Sequence, residues 1–102
     1  MINIYSGHRR PNGTTCVDVN GRPLEPRTDL RKESTTTFDW GYVGRGEPAQ
    51  LALAILADYL GDDQRAKRYY EHFLQSVIRG LPSWSWLLTG ADIDEVLPAG
   101  GY

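Results

Sequence analysis

The chain reads as α+β: a small antiparallel N-terminal sheet of two to three strands packed on an αα-hairpin, with a short C-terminal helix. Three observations predict it. Residues 48–60, PAQLALAILADYL, are apolar on every side of a helical projection. Residues 63–79 carry an apolar stripe at spacings of three and four. The first 24 residues alternate apolar and polar around strong turn signals.

Ile2-Asn-Ile-Tyr5 has the strand period, and Arg10-Pro-Asn-Gly13 is a turn. Thr14 to Val19 reads as a second strand, with Cys16, Val17 and Val19 as its apolar members. Asn20-Gly21 is the two-residue signal for a type I′ hairpin, whose central residues both need positive φ. Pro23 keeps the returning strand, Arg22-Pro-Leu24, at an edge or very short. Residues 25–37 are polar without a sustained period and read as loop, with a helical turn allowed near Asp29-Leu-Arg-Lys32. Phe38, Trp40 and Tyr42 then alternate along an extended segment and are expected to form a lid on the core.

Gly46-Glu-Pro48 starts the first helix, where the missing N–H of proline costs nothing. A helix apolar all round must be wrapped on most of its faces, and this one is too short to span a bilayer. Gly61 ends it and Asp62 caps the next. The second helix, Asp63 to Arg79, carries Ala66, Tyr69, Tyr70, Phe73, Leu74, Val77 and Ile78 on one face. So tight a turn predicts an αα-hairpin. Ser83-Trp-Ser-Trp86, followed by Leu87 and Leu88, reads as a short strand or an extended cover. Thr89 with Asp92 approximates a capping box for a last helix containing Ile93, Val96 and Leu97. Pro98 and the Gly100-Gly101-Tyr102 tail close the chain.

The 102 residues suit one domain, 1–102. The net charge of −2 is unevenly spread: residues 1–45 hold seven basic and five acidic groups, residues 46–102 four and eight. A nucleic-acid-binding domain is normally far more basic. One cysteine, Cys16, excludes an internal disulfide framework and suits a reducing compartment. The start lacks the basic, then apolar, profile of a signal peptide. The expectation is a soluble cytoplasmic protein.

Candidate chemistry is sparse. Gly41, Gly44 and Gly46 with Arg45 precede a helix N-terminus, where free N–H groups favour an anion. The spacing matches neither the dinucleotide fingerprint nor the P-loop, and Glu47 adds a negative charge, so a turn into the buried helix is preferred. Cys16 and His8 sit where the first hairpin brings them near one another, the first requirement for a thiol nucleophile with its base. A small buried hydrophobe is the commoner identity of a free strand cysteine. His72 belongs to the polar flank of the second helix. No pair of ligands has metal-site spacing. No catalytic residue, cofactor or metal is assigned. Arg9, Arg10, Arg22, Arg27, Arg31 and Lys32 suggest a basic sheet side, weakened by interleaved acids. Asp58, Asp62, Asp63, Asp92, Asp94 and Glu95 make the helical half acidic.

With these residues in view the chain resembles an uncharacterised family, a domain of unknown function in small bacterial, archaeal and phage proteins. Its pattern is met by Tyr5-x-Gly-x-Arg9, Val17-Asp-Val-Asn-Gly-Arg-Pro-Leu24, Asp29-Leu-Arg31 and Phe38-Asp-Trp-Gly-Tyr42. It continues in Gly46, Pro48-Ala-Gln-Leu-Ala-Leu-Ala54, and Trp86-Leu-Leu-Thr89 before Asp92-Ile93. Glu47 departs from the pattern, standing where Gly46 is expected to lead directly into the helix. The resemblance implies a context of phages and mobile elements, where small acidic proteins often inhibit host defence complexes. The function expected is therefore a non-enzymatic protein-binding protein, an anti-CRISPR-like blocker of a host complex that itself binds nucleic acid. Asp58, Asp62, Asp63, Asp94 and Glu95 form its expected contact face. The alternative is a nucleic-acid or phosphate-binding accessory protein using Arg9, Arg10, Arg31, Arg45 and the Gly41–Gly46 loop. A third reading, a cysteine enzyme built on Cys16, ranks last. No membrane partner is expected, and the oligomeric state stays open.

Overall fold

Alternation along the first strands decides which side of the sheet is buried. In a computed structural model, which describes residues 3–33, 38–42 and 44–97, β1 spans Ile4–Arg9, β2 Thr15–Val19 and β3 Arg22–Pro23. The expected contributions of Ile2, loop residues 34–37, Val43 and the tail 98–102 lie outside the described residues. Tyr5 pairs Val19 and Gly7 pairs Val17 on the inner, buried face. Ile4, Ser6, His8, Cys16 and Asp18 take the outer face by period two. Asn20 at φ 50° and Gly21 at φ 81° make the hairpin turn with both central residues left-handed, as Asn-Gly requires.

The sheet has four strands, not two to three. Ser85–Thr89 is a true strand, β4, antiparallel to β1, with Tyr5 opposite Leu88 and Gly7 opposite Trp86. The order is β3-β2-β1-β4, so the N-terminal strand is central and a C-terminal strand forms one edge. The sheet is thus not purely N-terminal. Trp86 and Leu88 point inward, while Ser85 and Leu87 are exposed. Cys16 follows Asp18 to the outer face, opposite His8, and is half-buried instead of sharing the core with Val17 and Val19.

Helix α1, Gly46–Leu60, is the interior element expected: every residue from Pro48 to Ala57 is buried. Helix α2, Asp63–Ser76, packs beside it as the αα-hairpin, burying Ala66, Tyr70, Phe73 and Leu74. The Asp62 carboxylate accepts from the backbone N–H groups of Gln64 and Arg65, capping α2. α2 stops earlier than its apolar stripe suggests. β-branched Val77 leaves helical geometry and Ile78–Gly80 forms a 3₁₀ turn, with Ile78 still buried. Helix α3, Gly90–Val96, has the full capping box: Asp92 N–H donates to the Thr89 hydroxyl, and Thr89 N–H donates to the Asp92 carboxylate at 2.9 Å.

The lid expected from Phe38, Trp40 and Tyr42 is only partly formed. Trp40 is buried and Phe38 packs at the core margin, but Tyr42 is 82% exposed. Gly41, at φ 77°, turns the chain and breaks the alternation before Tyr42. Trp40 meets Trp86 edge to face, centroids 5.4 Å apart. Gly7 makes room for that pair, since a Cβ there would stand 2.4 Å from the Trp86 ring.

One buried polar residue fastens the linker to α1. Gln50 accepts from Glu33 N–H at 2.7 Å and donates to the Pro26 carbonyl. Among the described residues, no helix is long and apolar enough to cross a membrane.

Candidate functional site

The acidic residues expected to make a contact face do gather at one end of the molecule. Asp58 closes α1, Asp62 and Asp63 begin α2, and Tyr59 ties Asp94 of α3 to the same end through a 2.8 Å bond from its hydroxyl. Most are also engaged internally. Asp58 accepts from the Tyr5 hydroxyl at 2.6 Å and from Asn3. Burial, reinforced by that carboxylate, pushes the Tyr5 phenol well above its usual range, so it stays protonated and donates. Asp62 is the α2 cap, and Asp63 pairs with Arg27 at 3.1 Å. Glu95 lies exposed on α3.

The four candidate arginines fall into two groups, each held by its own neighbours. Arg9 donates to Asp39 at 2.7 Å and to the Ser83 carbonyl, and its guanidinium lies 5.1 Å over the Trp40 ring. Arg10 bonds the Thr14 hydroxyl and reaches Cys16 Sγ at 3.5 Å, with no carboxylate against it among the described residues. Arg31 and Arg45 converge on Glu33, at 3.6 and 2.6 Å, and Arg45 also pairs with Glu71. Burial alone would raise the Glu33 carboxyl. The Tyr70 hydroxyl and the Arg45 guanidinium outweigh that and hold it below the usual carboxylate range.

That network sets a pH dependence. A lowered folded-state pKa gives stability that is complete above the ordinary glutamate value of about 4.3 and is lost as pH falls through the folded value. Glu33→Gln should remove about 1 kcal/mol at neutral pH. It should also flatten the acid limb of the stability curve below about pH 4.3, measured by urea denaturation at pH 7 and pH 3. An unchanged acid limb would show that Glu33 is not the group titrating.

The glycine loop is filled from inside. Arg79 donates to the Gly41 and Gly44 carbonyls, at 2.7 and 2.6 Å, and lies 5.2 Å over the Tyr42 ring. Gly41 and Gly44 have φ of 77° and 89°, which brings their carbonyls toward one cation. A groove of about 320 Å³ opens between β3 and α1, lined by Arg22, Leu24, Glu25, Arg27, Ala54 and Asp58. Its charges are of both signs, and Arg27 and Asp58 already have partners. Among the described residues no three His, Cys, Asp or Glu side chains gather as a metal site.

The feature that sequence reasoning missed is the free side of β4. Leu87 is 61% exposed and neighbouring Trp84 63%, with Ile4 also open one strand away. The outer sheet face bears Ile4, Ser6, His8, Cys16, Asp18, Ser85 and Leu87, and no aromatic ring on which a base could stack. The alternation Ser83-Trp-Ser-Trp86 was the available signal: it marks a strand, with Trp86 and Leu88 on one side and Leu87 on the other.

The comparisons with known proteins follow the same residues. No curated protein and no solved structure matches the chain. A family model does, over residues 5–99, which include the Tyr5-x-Gly-x-Arg9 strand, the Trp40 and Trp86 pair and all three helices. The chain belongs to a family of unknown function (DUF6166).

Proposed function

We propose that this protein acts by binding another protein, without catalysis, and that the β4 edge is its contact surface. The observation that carries the reading is Leu87, mostly exposed on an uncharged edge strand, with Trp84, also mostly exposed, just before that strand. Large apolar side chains at a sheet edge are characteristic anchors of protein contacts. The acidic end formed by Asp58, Asp94 and Glu95 gives the adjoining surface a sign that favours a basic partner. A nucleic-acid-binding host complex, such as a CRISPR effector, is a partner of that kind, and inhibition of it is the activity we assign first.

The test compares the wild-type protein with Leu87→Lys, both immobilised, for specific retention of host proteins measured by quantitative mass spectrometry. A CRISPR effector cleavage assay serves as the activity readout. A partner retained by the wild type is expected to bind the variant about thirtyfold more weakly, the effect of losing a hot spot of about 2 kcal/mol. If every protein is retained equally by the two forms, β4 is not the contact surface. Cleavage unaffected by saturating wild-type protein removes that effector as its target.

A further inference from the structure

We infer that two copies of this chain pair through their β4 edges, antiparallel, about a two-fold axis passing beside Leu87. The inference rests on the reading of β4 as the contact edge and names the first occupant of that edge.

The backbone shows which groups are available. Arg9 N–H donates to the carbonyl of Trp84, just before β4, at 2.8 Å, so Trp86 and Leu88 are the β4 positions whose backbone groups turn toward β1. The N–H and C=O groups of Ser85 and Leu87 therefore point away from the sheet. Among the described residues no backbone group bonds to them. Thr89 N–H is already taken by Asp92. The free groups sit at the middle and start of the strand, where a partner strand would meet them.

The two sheet edges are treated differently. β3 has two residues, one of them Pro23 and the other Arg22, and such an edge resists pairing. β4, SWLLT, has no charge and no proline over five residues. An uncharged edge with exposed apolar side chains is a template for another strand.

Charge selects a second copy in antiparallel orientation. Arg10, without a carboxylate partner among the described residues, lies beyond the Trp84 end of β4, at the end of β1. Asp92, Asp94 and Glu95 follow directly from its Thr89 end. Antiparallel pairing sets the basic end of each copy toward the acidic end of the other, whereas parallel pairing sets like against like. About the two-fold, Leu87 N–H and C=O exchange with those of the partner copy. The two Leu87 side chains then meet as a directly opposed pair, and Ser85 faces Thr89 of the other strand. The result is a continuous eight-stranded sheet with an isologous interface. Two five-residue strands, each offering an exposed Leu87 with Trp84 just before it, fall short of the roughly 1,200 Å² of standard interfaces. The dimer is therefore reversible, and a protein partner that engages β4 displaces the second copy.

Sedimentation velocity from micromolar to millimolar concentration tests this. A concentration-dependent dimer is expected, and Leu87→Lys, which opposes two ammonium groups at the axis, should weaken it about tenfold or more. Circular dichroism confirms that the exposed substitution leaves the fold intact. As a second measurement, Leu87→Cys in a Cys16→Ser background should form an intermolecular disulfide on mild oxidation, since the opposed positions lie about 5.5 Å apart between Cα atoms. A wild-type monomer at every concentration, or association untouched by Leu87→Lys, overturns the inference. If the wild type is monomeric while Leu87→Lys still loses a host partner, self-pairing fails and the protein-binding reading stands. If the dimer forms and no partner depends on Leu87, the reverse holds.

Discussion

Trp40→Ala is expected to lower stability by about 3–5 kcal/mol, the range for removing a buried large aromatic. The ring is buried between Trp86, which it meets edge to face, and the Arg9 guanidinium. Its indole N–H donates to the Ser83 carbonyl at 3.1 Å, which helps hold the chain as it enters β4. Alanine would leave a cavity, open the Arg9 contact and free Ser83 from one of its two donors. At roughly 4–8 °C per kcal/mol for a domain of this size, the midpoint should fall by about 12–40 °C. A thermal melt by circular dichroism reads this directly, and a loss under 1 kcal/mol would mean the ring is not the keystone described. Trp40→Phe separates the contributions, since it keeps most of the apolar contact and loses the hydrogen bond. Its cost should be nearer 1–2 kcal/mol.

Gly7→Ala is the second large effect, and its cause is the opposite of a cavity. A single methyl at Gly7 would lie 2.4–2.6 Å from three atoms of the Trp86 ring, well inside contact distance. Gly7 is on the inner face of the central strand, with Val17 on one side and Trp86 on the other, so the backbone has little freedom to retreat. Overpacking of this kind costs about 3 kcal/mol. The two residues should be strongly coupled: Trp86→Leu alone removes buried surface, but combined with Gly7→Ala it also removes the clash. The double variant is therefore expected to lose less than the sum of the singles by about 1–2 kcal/mol. Strict additivity would show that Gly7 is replaceable and that the close approach is incidental.

The helical half was legible because its information is local. Glycine and aspartate at 61 and 62 and the Thr89 and Asp92 box each specify structure within a few residues and appear as expected, while the three- and four-residue stripe marks α2 but runs past its end into the 3₁₀ turn. The apolar run Leu51 to Ala57 in α1 announced a buried helix, and Pro48 to Ala57 are buried without exception, polar Gln50 included. What the sequence did not disclose was pairing at a distance. Nothing local says that Ser85–Thr89 lies against Ile4–Arg9, so the sheet was read a strand short and its open edge passed unseen. The fates of the charges were hidden for the same reason. Arg9 meets Asp39, Arg45 meets Glu33, and Arg79 enters the glycine loop, each from a remote part of the chain. Cys16 is a different case. Strict alternation through Thr15-Cys-Val-Asp-Val19 already puts it outside with Asp18 once Val17 and Val19 are inside.

The position of β1 between β2 and β4 also governs how a newly made chain can fold. β1 is flanked on one side by a strand that follows it closely in the sequence, and on the other by one separated from it by the whole helical hairpin. A nascent polypeptide halted before residue 85 would leave one side of Ile4–Arg9 unpaired in solvent, with Gly7 uncovered where Trp86 should lie. Native contacts of such long sequence separation slow folding. Chaperone engagement should therefore persist until Ser85–Thr89 has been synthesised, and truncations that remove β4 should aggregate during synthesis.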